Sequence, residues 1–159
     1  MCTGSGCIII SLAKLGGLHR AVAADISTEA LKVAKRNAKT LEADITWIES
    51  DLFDKVEGKY DIIVSNPPYI ESEEVDKLAK EVKDHEPRLA LDGTEDGLYF
   101  YRKIIEEAEN YLTENGAIFF EIGYNQGEAV SELLRAKGYQ DIRVIKDLPG
   151  LDRVVTGRR

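Results

Sequence analysis

The chain has 159 residues, 43% hydrophobic and 31% charged, with a formal net charge of -8. That length and balance specify one domain able to bury a real core, and no apolar run is long enough to span a bilayer. The acidic sum repels a phosphate backbone and disfavours nucleic acid as a partner; Arg20, Lys32, Lys35, Arg36 and Lys39 cluster early, but at the spacing of a solvated helix face.

A helix is expected from Cys7 to Leu15, after a glycine turn, and a short buried strand from Ala21 to Ile26. Ser27 then stands where an N-cap belongs, and Ala30, Leu31, Ala34, Ala38 and Leu41 recur at helical spacing with lysines and Arg36 between them. Ile45 to Ile48 reads as the next strand, with Trp47 facing a helix, and Tyr60 to Ser65 as a fully buried one. Val75, Leu78, Ala79 and Val82 define one helix face, and Leu98, Tyr101, Ile105, Ala108 and Leu112 a second. Asn115-Gly116 is expected to stop that second helix and lead into a strand from Ala117 to Ile122. A last helix from about Gln126 to Lys137 stops at Gly138, and strands near Asp141 to Lys146 and Arg153 to Thr156 form a hairpin-like end. Alternating helices and strands of this kind argue for an α/β layer structure with a mainly parallel sheet.

Thr3-Gly4-Ser5-Gly6 precedes the first helix, where glycines let the backbone turn tightly and come close to a ligand. Asp25 lies 19 positions after Gly6 at the end of the next strand, where a carboxylate can take both ribose hydroxyls of a nucleoside. The dinucleotide fingerprint wants a third glycine where Ile9 stands, so a nucleoside without a pyrophosphate is favoured. Asp51 follows the next strand in register with these features and could accept from an exocyclic amine. Cys2 and Cys7 have no partners at metal-ligand spacing; both read as reduced thiols, and no metal is expected.

The most informative stretch is Ser65-Asn66-Pro67-Pro68-Tyr69. Two consecutive prolines stiffen the backbone and remove two N–H donors, leaving a segment rich in acceptors. An amide or aromatic amine offers two N–H groups in one plane. The Asn66 side-chain oxygen and the Pro67 carbonyl could accept both, with Tyr69 over the plane. Held in this way, a poor nitrogen nucleophile is presented to an electrophile in one fixed geometry, so positioning is the main catalytic device and no general base is needed before transfer.

The sequence resembles the release-factor glutamine methyltransferases, the HemK/PrmC family, along nearly its whole length. Cys2-Thr3-Gly4-Ser5-Gly6 is similar to their cofactor loop, Asp25-Ile26-Ser27 to the ribose-binding strand end, Ser50-Asp51-Leu52-Phe53 to the adenine side, and Asn66 to Tyr69 to the glutamine site. The stretch from Glu86 through Asp92-Gly93 to Asp96-Gly97-Leu98, then Glu121-Ile122-Gly123, Gln126-Gly127 and Asp152-Arg153-Val154-Val155, also match. The Asn-Pro-Pro-Tyr signature alone is shared with nucleic-acid N-methyltransferases, and the Glu86 to Leu98 segment narrows it. The resemblance implies a Rossmann-like class I S-adenosylmethionine-dependent fold, with an antiparallel C-terminal strand in a mainly parallel sheet. It also implies S-adenosyl-L-methionine as cofactor, with Cys2 to Gly6, Asp25, Ile26, Asp51, Leu52 and Asn66 holding it. Release factors are then the protein substrate, methylated on the Gln of a Gly-Gly-Gln loop, in the cytoplasm; no export signal opens the sequence. Two rival readings stay open: a nucleic-acid N-methyltransferase using the same clamp, and a non-catalytic folding fragment.

Two departures stand out. Cys2 replaces a usual glycine, and only Met1 precedes it, whereas family members carry a helical domain and a first central strand before the glycine loop. With strands about 4.8 Å apart, omitting a central one opens a gap of roughly 10 Å or draws its neighbours together. The oligomeric state has no signature, and His19 and His85 read as surface or loop residues, Tyr99, Tyr101 and Tyr111 as packing. The expectation is weak or no cofactor binding unless a segment, such as one swapped from another copy, fills that slot. Calorimetric titration giving micromolar or tighter binding to a monomer contradicts it.

Overall fold

The computed structural model describes residues 1–79 and 86–159. The expected helix position Val82 and the loop residue His85 lie outside the described residues. The chain divides into two compact units, Met1–Glu57 and Gly58–Arg159.

In the first unit, helix α1 (Cys7–Leu15) is followed by strand β1 (Val22–Asp25), helix α2 (Thr28–Thr40) and strand β2 (Thr46–Glu49). The expected cap is present: the Ser27 hydroxyl oxygen accepts from the Ala30 N–H at 3.1 Å. Glu29 in the first turn and Lys39 in the last complement the helix dipole. Leu31, Ala34 and Ala38 turn inward as their spacing requires. Leu41 does not; it is 53% exposed, because the helix ends at Thr40 and Leu41 is already the C-cap. Strands β1 and β2 pair in parallel from Val22↔Thr46 to Asp25↔Glu49. Ile10, Ala21, Ala23, Ala38 and Ile45 form the core of this unit, and Trp47 packs against it.

In the second unit, strand β3 (Tyr60–Ser65) leads through the short helices α3 (Ser72–Val75) and α4 (Arg88–Leu91) to helix α5 (Tyr99–Ala108). Strand β4 (Leu112–Glu121), helix α6 (Gly127–Ala136) and the strands β5 (Gln140–Lys146) and β6 (Asp152–Arg158) complete it. The sheet order is β3-β4-β6-β5. β3 runs parallel to β4, whereas β6 is antiparallel to both β4 and β5, which gives the C-terminal hairpin. The core joins Tyr101, Ile104, Ile105 and Ala108 of α5 to Ile118 and Phe120 of β4 and to Val130 and Leu134 of α6. The Tyr101 and Phe120 rings meet edge to face, with centroids 5.3 Å apart. Among the described residues no helix is long and apolar enough to cross a membrane.

Three expectations need correction here. β3 is not fully buried: Asp61 and Ile62 are exposed, Ile62 by 52%, because β3 stands at the end of its sheet. The helix expected from Val75 onward ends at Val75; among the described residues of its proposed face Val75 is buried, Leu78 half-buried and Ala79 exposed. Leu112 opens β4 rather than closing α5, so Asn115-Gly116 falls inside a strand instead of stopping a helix. Helix α5 ends in a turn at Glu109-Asn110, with the Asn110 N–H donating to Glu107 O at 2.9 Å, and the register slips by a bulge between Tyr60 and Ile62.

The core assignment predicts that Phe120→Ala costs about 3–5 kcal/mol, while Leu41→Ala, outside the core, costs less than about 0.5 kcal/mol. Urea unfolding of both variants measures the difference.

Candidate functional site

At the C-terminal end of β1 the Asp25 carboxylate organises two loops. One oxygen accepts from the Gly4 N–H and the other from the Ser27 N–H, each at 2.8 Å. Thr3 is tied to the same strand end, its hydroxyl donating to the Ala24 carbonyl at 3.0 Å and its N–H to the same oxygen at 3.2 Å. The Ser50 N–H donates to Asp25 O at 3.0 Å, which brings the loop after β2 to the same edge. Thr3 to Gly6, Asp25, Ile26, Asp51 and Leu52 therefore lie within one unit. Asp51 is exposed and its carbonyl closes a turn by accepting from the Asp54 N–H at 3.0 Å; Ser50, buried beneath, accepts from the Lys55 N–H at 3.0 Å.

The two glycines of the loop do different things. Gly4 has φ +55° and open space where a side chain would start. Gly6 has φ +83°, and a Cβ there would lie 3.0 Å from Ala34 Cβ, so its missing side chain serves the packing of α1 on α2. Cys2, at φ +50°, and Cys7 are not joined in a disulfide. Asn37, which sequence reasoning did not single out, supports the loop by donating to Ser5 O at 3.0 Å. A polar cleft of 330 Å³ in this unit, lined by Lys14, His19, Arg20, Glu42 and Asp44, lies at the opposite edge of the strands from Asp25.

In the second unit, Asn66 to Tyr69 leave the end of β3. Pro67 and Pro68 are buried, while Asn66 and Tyr69 are half-buried. Among the described residues no hydrogen bond engages the Asn66 side chain or the Pro67 carbonyl. The Tyr69 carbonyl, in contrast, accepts from Gln126 Nε2 at 3.0 Å.

The segment from Leu91 to Gly97 closes over the proline loop. Ile70 and Asp92 form a parallel bridge, with the Ile70 N–H donating to Leu91 O at 3.0 Å and the Gly93 N–H to Ile70 O at 2.7 Å. A Cβ on Gly93 would lie 2.8 Å from Tyr69 Cα, which is why the two backbones can touch. Asp92 fastens the crossing: one oxygen accepts from the Ser72 hydroxyl at 2.6 Å and the Thr94 N–H at 3.0 Å, the other from Arg88 Nε at 3.0 Å. These bonds hold the Asp92 carboxyl below its usual range, the Ser72 hydroxyl first and the Thr94 N–H next. Arg153, at the start of β6, is bonded to Asp147 at 3.1 Å and to the Ile122 carbonyl at 3.3 Å. Its guanidinium is raised above its ordinary value by the Asp147 hydrogen bond first, and also by Tyr69.

Gln126, Gly93, Gly97, Asp92 and Arg153 belong to the later segments that carried the resemblance, but residue type alone gave them no role. Their function lies in bonds to chain neighbours up to 57 positions away.

Parallel strands with helices between them, an acidic strand end beneath a glycine loop and a C-terminal antiparallel hairpin make this the fold of the class I methyltransferases. The ribosomal protein L11 methylase of Lactobacillus delbrueckii subsp. bulgaricus aligns with TM-score 0.71 and 25% identity, covering 99% of this chain and 66% of that one. The family model for the methyltransferase small domain matches residues 1–94, and the chain belongs to that family. The release factor glutamine methyltransferase of Streptococcus pneumoniae is 47% identical, covering 96% of this chain and 55% of that protein. The protein of the same description from Thermodesulfovibrio yellowstonii is 42% identical, covering 98% of this chain and 56% of its own length. The chain thus spans about half the length of the curated relatives it matches.

A carboxyl whose folded pKa is depressed stabilises the fold above its unfolded pKa, and that stability is lost as pH falls through the lower folded value. Asp92 therefore contributes at neutral pH and stops contributing in acid. Asp92→Asn is expected to lower stability at pH 7 and to flatten the loss as pH falls below the ordinary carboxyl range; urea unfolding across acidic pH reads the change in slope.

Proposed function

We propose that this chain is the catalytic domain of an enzyme that methylates the side-chain amide of the Gln in the Gly-Gly-Gln loop of peptide-chain release factors. The observation that carries this reading is the acceptor arrangement at the end of β3. Pro67 and Pro68 are packed and the Tyr69 carbonyl is taken, while the Asn66 side-chain oxygen and the Pro67 carbonyl keep their capacity to accept the two hydrogens of a primary amide. The curated relatives, though about twice as long, support the choice of a glutamine amide over a nucleobase, and the net charge of -8 supports it as well.

The residues of the first unit fit S-adenosyl-L-methionine. Each Asp25 oxygen accepts one backbone N–H and so retains a lone pair for a ribose hydroxyl. Ile26, 50% exposed beside it, and Leu52 would offer apolar surface for an adenine ring, and the exposed Asp51 carboxylate could accept from its amine. The turn from Cys2 to Gly6 provides backbone for the rest of the molecule, and Gly4 leaves open space there. When bound, the cofactor supplies an electrophilic methyl group. Asn66 and Pro67 hold the amide by its two hydrogens and so leave the nitrogen lone pair open to methyl transfer, and Tyr69 limits tilt out of the amide plane. The proton acidified by transfer leaves to solvent, so no residue is needed as a base. The setting is the cytoplasm, where release factors act.

Transfer of labelled methyl groups to a release factor, to the same factor with its glutamine replaced, and to RNA and DNA tests the reading. Label on the intact factor alone is expected, at cofactor concentrations high enough to offset the weak binding expected of this chain; label on nucleic acid instead overturns it. Asn66→Ala is expected to lower kcat/KM about 100-fold, since mispositioning of a reacting group costs on that order.

A further inference from the structure

Both hydrogens of one buried side-chain amide point at the backbone around the proline loop. Gln126 is 8% exposed, and its Nε2 donates to Tyr69 O at 3.0 Å and to Gly97 O at 3.2 Å. Its Oε1 accepts from the Gly123 N–H at 2.9 Å and lies 3.5 Å from the Tyr101 hydroxyl, which donates to Glu121 O at 2.9 Å. The orientation is fixed, because reversing the amide would set oxygen against two carbonyls and nitrogen against an N–H.

The side chain is mounted on rigid parts. The Gln126 N–H donates to Gly123 O at 3.0 Å, closing the turn after β4, and its own carbonyl receives the Val130 N–H at 3.0 Å, opening α6. The space on the other side is equally constrained. A Cβ on Gly97 would lie 2.4 Å from Tyr69 O and 2.7 Å from Gln126 Nε2, and Gly97 holds φ +66°. Gln126 thus joins three places far apart in sequence: the end of the proline loop, the segment that covers it, and the end of the central strand of the sheet.

We infer that Gln126 is the positioning residue of the clamp, locking the Tyr69 carbonyl and so fixing where Asn66 and Pro67 present their acceptors. This rests on reading Asn66 to Tyr69 as an amide clamp. The proline loop has no amide hydrogens at Pro67 or Pro68 with which to bond to its neighbours, so its geometry is imposed at its ends. β3 fixes one end and the Gln126 amide the other. The Tyr69 carbonyl is thereby withdrawn from substrate, which leaves one fewer acceptor to compete with the pair that a primary amide matches.

Two variants of the whole chain test this. Gln126→Met keeps similar bulk and removes both donors. It is expected to speed hydrogen exchange of the Ile70 and Gly123 amides about tenfold or more and to lower kcat toward a glutamine substrate about 100-fold, with KM for cofactor near wild type. Gln126→Glu places a carboxylate against two carbonyls. Burial there raises its pKa, and the protonated acid regains one O–H donor. Its rate relative to wild type is therefore expected to rise as pH falls, within one folded protein that serves as its own control. Unchanged Ile70 exchange in Gln126→Met overturns the lock whatever the chain methylates. A Gln126→Glu rate ratio that stays flat with pH, or equal losses in kcat and in cofactor KM, reduces Gln126 to a structural residue and overturns the inference. Failure of the wild type to methylate glutamine, with Ile70 still loosened in Gln126→Met, overturns the amide reading alone.

Discussion

A backbone with two consecutive prolines cannot hold itself in place. Pro67 and Pro68 lack the N–H groups through which a loop usually bonds to its surroundings, yet both are buried, so their position has to be imposed by other segments. Much of the second unit can be understood as the answer to that constraint. The Leu91 to Gly97 segment returns to pair with Ile70, Asp92 fastens the crossing through Ser72, Thr94 and Arg88, and Gln126 takes the one carbonyl at the loop's far end. Gly93 and Gly97 are small because the covering backbone runs against Tyr69 itself.

The first unit solves a related problem with a charge. Asp25 receives N–H groups from both the loop before α1 and the start of α2, so a single carboxylate orients two loop ends at one strand terminus. The two glycines of this loop differ sharply in their surroundings. Gly4 leaves open space and Gly6 fills the seam with Ala34, although both show positive φ and look alike in the sequence.

What the sequence revealed was largely what neighbours in the chain determine. The Ser27 cap, the inward face of α2, the Gly138 stop and the final hairpin all depend on local spacing or local hydrogen bonds. So did the proline loop, because proline acts on its own backbone. The misreadings came where position in the sheet decides. Ile62-Ile63-Val64 has the composition of a central strand, but β3 stands at the end of its sheet and Ile62 is exposed. Leu112 continues the helical spacing of α5, yet its place opposite Tyr60 in the sheet outweighs that periodicity. Gln126 was visible as a letter in a matching motif, while its purpose depends on carbonyls contributed by Tyr69 and Gly97, which no periodicity connects to it.

The Gln126 amide also bears on how a glutamine is told from a glutamate. Inside the second unit a side-chain NH₂ is already held between two main-chain carbonyls, with its oxygen turned to an N–H. A carboxylate in the same cradle would face two negative dipoles with no hydrogen to offer. The protein thus contains, in its own interior, an example of amide-over-acid discrimination in which main-chain groups take the leading part. Since Nε2 donates to two main-chain carbonyls and Oε1 accepts from a main-chain N–H, this selectivity depends mainly on the path of the chain.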